Sequence, residues 1–333
     1  MKTLTFLVPC YNVADCVSRC IDSMLVDDII DDIEILLIND GSKDNTLEVL
    51  KEYETKRPST IRVIDKENGG WGTAINHGIR EAKGKYLKEV DADDWVSSDN
   101  LKEYISQLKE LDSDYIATDY TEYFKATDKY EHHAYQQDIY NKPMRLSDFW
   151  DKYPMAWDFP IHAITYRTKM LRDAIITVGE RYYGDIEYNL YPLPHVQTIC
   201  VLHINVTIYF RGSDEQSTST AGYAKHYKDF VMMSQRLVNY YHKLPKTLQS
   251  DLYRFIENTV QGAVLKSYNL MMSPVYAGKK DGVGEELKKY DRWLKDADTE
   301  IYKYCGRQRK HGITYIRIWR CLGVNIMKFA INR

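Results

Sequence analysis

Short apolar segments alternate with helix-like segments over the first 120 residues, and this alternation constrains the fold more than any other feature. The strand-like runs are Leu4–Val8, Ile33–Ile38, Ile61–Asp65 and Tyr86–Val90. Segments with helical periodicity lie between them, namely Ala14–Leu25, Thr46–Lys56 and Gly72–Ala82. Buried apolar strands joined by helical crossovers are typical of a mostly parallel sheet. The sequence therefore predicts an α/β fold with helices on both faces of the sheet.

The remainder of the chain is less regular. Between Tyr120 and Tyr153 the periodicity fades, which predicts a loop-rich elaboration. Ile161–Tyr166 and Ile199–Tyr209 resume the strand pattern. Beyond Ser219 the helix-like segments are Tyr223–Leu244, Leu248–Met272 and Gly284–Tyr304. We therefore expect an α/β domain over residues 1–218 and a smaller, mainly helical region over residues 219–333.

Charge and cysteine content narrow the classes of partner. The formal net charge of -3 argues against nucleic acid, because phosphate backbones select strongly basic proteins. The acid excess lies in the body of the chain, since residues 301–333 carry bases and no Asp or Glu. The six cysteines match no zinc or disulfide spacing, and neither a signal peptide nor a membrane-spanning run stands out. These features favour a cytoplasmic protein.

Polar segments follow each predicted strand. Ligands of such sheets lie beyond the carboxyl ends of the strands, which directs attention to Pro9–Asn12, Asn39–Ser42, Asp65–Gly72 and Asp91–Asp94. Asp91-Ala92-Asp93-Asp94 places three carboxylates at one strand end, where Mg²⁺ or Mn²⁺ would relieve their repulsion. The alternative is a solvated turn before the next helix, with Ser98 or Asp99 as the N-cap.

Two glycine-rich turns point to the same edge of the sheet. Asp40-Gly41-Ser42 ends the second strand, and Asn68-Gly69-Gly70-Trp71-Gly72 leads into a helix. Glycine lets the backbone approach a ligand closely, and a free helix N-terminus attracts an anion. The sequence therefore predicts a single crevice for an anionic ligand, with Gly41, Asn68 and Gly70 among the residues that line it.

Taken together, four ordered segments resemble the opening of family 2 glycosyltransferases, which have the GT-A fold. The segments are Val8–Asn12, Ile38–Thr46, Asn68–Ile79 with Gly84–Tyr86, and Asp91–Asp94. The resemblance implies a nucleotide-sugar donor, with Pro9, Tyr11 and Asn12 in the nucleoside pocket and Asp40 at the base, usually uracil.

The same resemblance assigns roles to the three clustered acids. It implies that Asp91 lies near the ribose and that Asp93 binds the metal, Mn²⁺ or Mg²⁺, which bridges the diphosphate. Asp94 would assist Asp93 or orient a donor hydroxyl. A divalent cation stabilises the charge that develops when a sugar–phosphate bond breaks, so the chemistry agrees with these roles.

An inverting transfer also needs a general base near the acceptor hydroxyl. Members of the family carry a Glu-Asp pair for this purpose, and Gly184-Asp185-Ile186-Glu187 is the segment of this chain that resembles it. Asp185 aligns with the base, while Gly184 stands where the family usually has Glu. Glu187 is the alternative base, and two surface charges with no catalytic role are a further reading.

Three other features have open interpretations. Arg211 either clamps the donor diphosphate or forms a structural ion pair. Lys88 and Glu89 stand where the family usually has apolar residues, so they either pair near the acceptor side or lie where the sheet is less covered. Tyr120, Tyr123, Trp157, Tyr182 and Tyr183 are candidates for stacking on an acceptor sugar, with packing as the alternative.

The C-terminal segment 313–330 predicts an amphipathic helix. A helical wheel places Tyr315, Ile316, Trp319, Leu322, Ile326 and Phe329 on one face, and Arg317, Arg320 and Lys328 on the other. Such a helix either contacts an anionic membrane peripherally, which would suit a lipid-linked acceptor, or docks on the protein with a solvated basic face. The other C-terminal helices would support the acceptor site or a homo-oligomer interface.

These observations lead to one main functional hypothesis and two alternatives. The hypothesis is an inverting, metal-dependent glycosyltransferase that moves a sugar, from a UDP-sugar by family analogy, to a hydroxyl of a cell-surface polysaccharide or glycan. A sugar-phosphate nucleotidyltransferase would also combine an α/β sheet with metal-binding acids. A non-catalytic nucleotide-sugar or glycan-binding protein on a degenerate transferase scaffold is the alternative outside enzymes.

Overall fold

The computed structural model describes residues 2–153, 159–174, 176–179, 182–212, 220–273, 283–325 and 327. The chain divides into two compact units, Met1–Gly212 and Ser213–Arg333. The first is an α/β unit built on one sheet, and the described part of the second is helical.

The first unit begins with the predicted strand–helix alternation. Its elements are β1 (Leu4–Cys10), α1 (Val17–Met24), β2 (Ile33–Asp40), α2 (Thr46–Lys56), β3 (Ile61–Lys66), α3 (Trp71–Glu81) and β4 (Tyr86–Glu89). The four strands are parallel and lie in the order β3-β2-β1-β4. The parallel sheet predicted from the sequence is confirmed.

Strand β1 shows how both faces of the sheet are covered. Phe6 and Val8 pack in one core cluster with Ile21 of α1. Leu7 points to the other face, where a Cβ on Gly78 of α3 would lie 2.2 Å from its Cδ1 atom. Because successive strand residues alternate between faces, the apolar side chains of one strand pack against helices on both sides of the sheet.

The sheet continues beyond β4 with strands of mixed direction. The further elements are β5 (Trp95–Val96), α4 (Ser98–Glu110), β6 (Tyr115–Phe124), β7 (Lys129–His133), β8 (Met144–Arg145), α5 (Leu146–Lys152), β9 (Ile164–Arg167), α6 (Thr168–Asp173), α7 (Gly184–Leu190) and β10 (Thr198–Arg211). The order runs β4-β9-β6-β10-β5, with β7 beside β6 and β8 beside β10. Strands β6 and β10 are parallel, whereas β9 is antiparallel to both β4 and β6.

Two local predictions in this part were wrong. Residues 120–133 form the antiparallel hairpin of β6 and β7 rather than loops. The sequence hides it because β7 is largely solvent-exposed and so lacks apolar alternation. Ile161–Ala163 is a short 3₁₀ turn, and the strand predicted there begins only at Ile164.

The second unit consists of α8 (Thr220–Tyr241), α9 (Ser250–Met272), α10 (Val283–Ala297), α11 (Thr299–Arg307) and α12 (Tyr315–Leu322) in its described part. The segment predicted to be helical, 284–304, is helical but divided between α10 and α11. Asp298 interrupts it, because its side chain accepts a hydrogen bond from the Ile301 N–H at 2.8 Å and thereby caps α11.

The C-terminal helix α12 packs within the second unit. Tyr315, Ile316 and Trp319 are buried. Arg320, which the helical wheel assigned to a solvated face, instead bonds Asp291 at 2.7 Å and stacks over the Tyr302 ring at 3.5 Å. Ile326, Lys328 and Phe329 lie outside the described residues. Among the described residues, no helix is both long and apolar enough to span a bilayer.

Candidate active site

The turn that follows β4 carries the three clustered acids. Asp91 and Asp93 are partly buried, and Asp94 is only 1% exposed. One Asp94 oxygen accepts a hydrogen bond from the Phe210 N–H at 2.8 Å, while its other oxygen is buried with no partner in the described structure. The alternative of a solvated capping turn was wrong, because helix α4 has Ser97 as its N-cap residue and the acids lie inward.

Burial and mutual repulsion disfavour the charged forms of these acids. Burial, followed by the charge of Asp93, raises the pKa of Asp91 to about 6. Burial also raises the pKa of Asp93, and it raises that of Asp94 well above its usual range. A buried carboxylate oxygen without a partner beside two further acids fits a divalent cation, which prefers oxygen ligands. Asp91, Asp93 and Asp94 are therefore the residues suited to hold one.

Arg19 of α1 supports this turn, although no sequence motif singled it out. Its guanidinium donates to the Asp93 carbonyl oxygen at 2.6 Å. The same group lies 4.0 Å from the centre of the Trp95 ring and 5.1 Å from that of Phe210. Stacking and hydrogen bonding together fix the backbone of the turn without neutralising a carboxylate through direct contact.

The glycine-rich turn wraps around Asp40. This side chain is 3% exposed, and it accepts hydrogen bonds from the Gly69 N–H at 3.0 Å, the Gly70 N–H at 2.7 Å and the Lys66 ammonium. The Asn68 side chain donates to the Asp40 carbonyl oxygen at 2.9 Å. The Gly69 and Gly70 N–H groups, which precede α3, therefore donate to the Asp40 carboxylate and not to a ligand. The expectation that these donors are free for a ligand was wrong.

Glycine is required at two positions of this turn. Gly41 has φ of +68°, and a Cβ there would lie 2.7 Å from the Asn68 nitrogen. Gly70 has φ of +90°. Both values lie in the left-handed region that side chains avoid, so the turn brings Asp40, Gly41, Asn68 and Gly70 together as predicted from their order in the sequence.

The segments after β1 and β2 are tied to each other. The Asn12 N–H donates to Ser42 Oγ at 3.1 Å, and Asn12 Oδ1 accepts from the Lys43 N–H at 2.8 Å. Tyr11 is 44% exposed beside them, and Pro9 lies in β1 in register with Ile38. Asp65, at the end of β3, opens the predicted segment Asp65–Gly72 but had no role assigned to it. Its exposed carboxylate accepts from the Asn39 amide at 2.6 Å, so it adds an acid to this edge.

The two candidate bases occupy different environments on α7. Asp185 is exposed in the first turn of the helix, and its negative charge is close enough to raise the pKa of Asp91. Glu187 is fully buried and accepts hydrogen bonds from the Gly179 N–H at 2.9 Å and the Tyr191 hydroxyl at 2.7 Å. Asp185 therefore lies at the acid cluster, whereas Glu187 holds the segment before its own helix.

Arg211 forms the structural ion pair. Its guanidinium donates twice to one Glu122 oxygen, at 2.9 and 2.7 Å, and lies 4.7 Å from the centre of the Tyr209 ring. Glu122, Glu131 and His133 are close enough together to ligate a metal, but the guanidinium already compensates Glu122. Arg211 is thus engaged beside the acid cluster rather than extended toward it.

Lys88 and Glu89 are both buried, so the reading of a less covered sheet was wrong. The Lys88 ammonium donates to the His162 carbonyl oxygen at 2.7 Å, and burial lowers its pKa to about 7. Glu89 shares a hydrogen bond with Asp91, and burial raises the pKa of Glu89 well above its usual range. Lys88 and Glu89 are thus buried polar residues of the strand that leads into the acid cluster, and Glu89 contacts Asp91 directly.

The aromatic acceptor candidates are mostly engaged in packing. Tyr120 stacks on His133 with centroids 4.6 Å apart, and Tyr123 packs against Tyr130 at 4.7 Å. Tyr183 is buried, while Tyr182 is 44% exposed at the start of α7. Trp157 lies outside the described residues.

The chain is similar to known proteins in sequence and in fold. The family model for glycosyl transferase family 2 matches residues 5–174, slightly more than half of the chain. The chain belongs to this family. It is 29% identical over 211 residues to the uncharacterized glycosyltransferase EpsJ of Bacillus subtilis, a match that covers 62% of this chain and 60% of EpsJ. The chain therefore spans less than two thirds of that relative's length.

Two solved structures share the fold. TarS 1–349 of S. aureus in complex with UDP-GlcNAc has a TM-score of 0.56 at 17% identity, covering 90% of this chain and 80% of TarS. The mannosyltransferase PcManGT of Pyrobaculum calidifontis, in complex with GDP-Man and Mn²⁺, has a TM-score of 0.53 at 14% identity, covering 90% and 84%. At these identities the likeness shows the GT-A fold alone, which confirms the fold class.

Proposed function

We propose that this glycosyltransferase is an inverting, metal-dependent enzyme that moves a sugar from a UDP-sugar to an acceptor hydroxyl. The observation that carries the proposal is the position of Asp185 close to Asp91. Its neighbour Gly184 lies against the Trp71 ring, and the Trp71 indole N–H donates to Asp91 Oδ1 at 3.3 Å. The acids in the turn after β4 hold the donor side, and Asp185, an exposed acid on helix α7, faces the acceptor side.

The donor would lie across the carboxyl ends of β1, β2 and β4. Tyr11 and Asn12 line the nucleoside pocket beside Pro9, and Asp91 faces the ribose. Asp40 contributes by shaping the turn of Gly41, Asn68 and Gly70, since its own oxygens are occupied. UDP as the nucleotide is supported by the family resemblance and by the UDP-GlcNAc that TarS binds.

The acids after β4 would hold Mn²⁺ or Mg²⁺, with Asp93 as the main ligand and Asp91 and Asp94 beside it. When bound, the cation supplies positive charge that stabilises the departing diphosphate. The protein's own contribution is to hold these carboxylates close together in a partly dry site, where burial strengthens their attraction for a cation.

Asp185 would accept the proton from the attacking hydroxyl. Its exposed position in the first turn of α7 lets an acceptor from solvent reach it, and its position on a different element from the metal acids suits attack from the face opposite the leaving group. Attack from that face inverts the anomeric centre. The acceptor, a cell-surface polysaccharide or glycan hydroxyl, rests on the family resemblance.

A donor panel tests this proposal. UDP-, GDP-, dTDP- and CMP-sugars are titrated by calorimetry with Mn²⁺, with Mg²⁺ and with a chelator, on the unmodified protein, on Asp93→Ala and on the control Asp99→Ala. We expect metal-dependent binding of UDP-sugars that Asp93→Ala loses and Asp99→Ala keeps, because Asp99 is an exposed acid of α4. Binding with the chelator present would contradict the metal site.

Absence of binding to every donor by the folded protein would favour the non-catalytic alternative. Release of pyrophosphate from UTP and a sugar phosphate would favour the nucleotidyltransferase. Neither alternative has a structural observation of its own in support.

Peripheral contact with an anionic membrane through residues 301–333 completes the proposal. Lys303, Arg307, Arg309, Lys310 and Arg317 are exposed, and Leu322 is 71% exposed. Each base near an anionic surface contributes about 1 kcal/mol. We expect co-sedimentation with phosphatidylserine vesicles at low salt and none with phosphatidylcholine vesicles. Equal sedimentation after Arg309→Glu and Lys310→Glu would contradict this contact.

A further inference from the structure

Trp71 lies between the two groups of catalytic candidates. It is the first residue of α3, and its indole N–H donates to Asp91 Oδ1 at 3.3 Å. Its ring stands edge-on to Tyr188 of α7, with centroids 6.3 Å apart and planes at 83°. One side chain thus contacts both a metal-side acid and the helix that carries Asp185.

The same ring accounts for Gly184, the position where the family usually has Glu. A Cβ on Gly184 would lie 3.1 Å from two carbons of the Trp71 ring, Cε3 and Cζ3, and 2.9 Å from Val178 Cγ1. The space that a side chain at 184 would need is therefore already filled. An alanine at 184 would require the Trp71 ring and the Val178 side chain to shift by a few tenths of an ångström.

Helix α3 also forms hydrogen bonds and a close backbone contact with the segment that precedes α7. The Asn76 amide donates to the Val178 carbonyl oxygen at 2.9 Å and accepts from the Val178 N–H at 2.8 Å. A Cβ on Gly72 would lie 1.8 Å from the Gly179 carbonyl oxygen, so the two backbones are in direct contact. Several contacts with α3 thus fix the position of α7. Of the residues that make them, Trp71 also contacts Asp91.

We propose that Trp71 is a positioning residue that sets the separation between Asp91 on the donor side and Asp185 on the acceptor side. The inference rests on the proposed function of those two acids. Transfer requires the base, the attacking oxygen and the anomeric carbon to be aligned, and a displacement of about 1 Å can cost on the order of 100-fold in rate.

The test uses two substitutions alone and together. Trp71→Phe keeps an aromatic ring but removes the N–H and the ring carbons that face Gly184, whereas Gly184→Ala pushes α7 away from that ring. The readouts are the rate of UDP release from the donor identified by the panel, with water as acceptor, the donor KM, and the affinity for UDP with Mn²⁺ by calorimetry.

We expect each single substitution to lower kcat by about tenfold or more. Gly184→Ala should leave UDP affinity unchanged, while Trp71→Phe should also weaken it, because Asp91 loses a hydrogen bond. In the Trp71→Phe background, Gly184→Ala should cost at least about threefold less than in the unmodified protein, since the smaller ring makes room for the new methyl group.

Control variants separate positioning from folding and from the proposed function. Trp150→Phe makes the same change at a buried tryptophan of α5 and should leave kcat unchanged. Multiplicative effects of Trp71→Phe and Gly184→Ala on kcat, in proteins of normal thermal stability, would overturn the inference. Full activity of Asp185→Asn would instead show that the base assignment is wrong. The interaction between residues 71 and 184 does not depend on that assignment, so the two failures can be distinguished.

Discussion

Two strand ends of the same sheet carry acidic side chains in opposite electrostatic surroundings. At the end of β2, Asp40 receives two backbone N–H groups and the Lys66 ammonium, so the protein itself neutralises it. At the end of β4, Asp91, Asp93 and Asp94 lie together. Burial raises the pKa of all three, and repulsion from neighbouring acids raises those of Asp91 and Asp94 further. The comparison separates an acid whose charge the protein compensates from the acids that we propose to hold a cation.

The largest stability effect is expected at the compensated acid. Asp40→Asn replaces a carboxylate, which accepts through both oxygens, with an amide whose NH₂ group would face a backbone N–H or the Lys66 ammonium. It also removes the negative charge that pairs with Lys66. We expect a loss of about 3 kcal/mol in the free energy of unfolding. Urea unfolding at pH 7 in the presence of a chelator measures it, with the exposed Asp99→Asn as the control. A loss below about 1 kcal/mol would show that the turn does not depend on the charge.

A pH-dependent effect of intermediate size is expected at the uncompensated acids. The pKa of Asp91 in the folded protein, about 6, lies above the value of about 4 in an unfolded chain. The native state therefore binds this proton more tightly, and the stabilisation present below pH 4 is lost as the pH rises through 6. Without metal, the loss should reach about 2 kcal/mol.

The measurement is urea unfolding between pH 4 and 7, on the unmodified protein and on Asp91→Asn, in which this group no longer titrates. Mn²⁺ should reverse the trend in the unmodified protein, because it binds the ionised carboxylates and its affinity rises with pH. Identical pH profiles for the two proteins with chelator would contradict the raised pKa.

The smallest effect is expected for Asp94→Asn, and its sign is opposite to that of Asp40→Asn. The substitution keeps an oxygen for the Phe210 N–H and removes a buried ionisable group, so the metal-free protein should gain about 1 kcal/mol. The gain from Mn²⁺ in thermal unfolding should shrink in this variant. Destabilisation by both Asp→Asn substitutions would remove the distinction between the two strand ends.

Local signals in the sequence were enough for the parallel half of the sheet. Thr46–Lys56 is helical over the predicted residues, and the strand preceding Asp91 ends within one residue of its expected position. Buried strands and amphipathic helices are encoded by neighbouring residues, so periodicity finds them. The hairpin of β6 and β7 escaped because its exposed strand gains order from its partner rather than from its own apolar pattern.

The contacts that define the site depend on residues far apart in the chain. Arg19 reaches Asp93, Trp71 reaches Asp91, and Asp185 lies near Asp91 only through the folding of α7 against α3. The resemblance to a family supplied the list of candidates. It did not supply the Lys66–Asp40 pair or the reason for Gly184, since both are set by tertiary neighbours.

The self-contained turn around Asp40 has a kinetic consequence. Its hydrogen bonds form without a ligand, so this wall of the proposed donor pocket is already shaped when a nucleotide arrives. Association with that wall then requires no ordering step, and its rate is governed by diffusion and by the assembly of the cation with the acids opposite. In a stopped-flow experiment, slow phases would report on the acid side of the crevice rather than on the glycine turn.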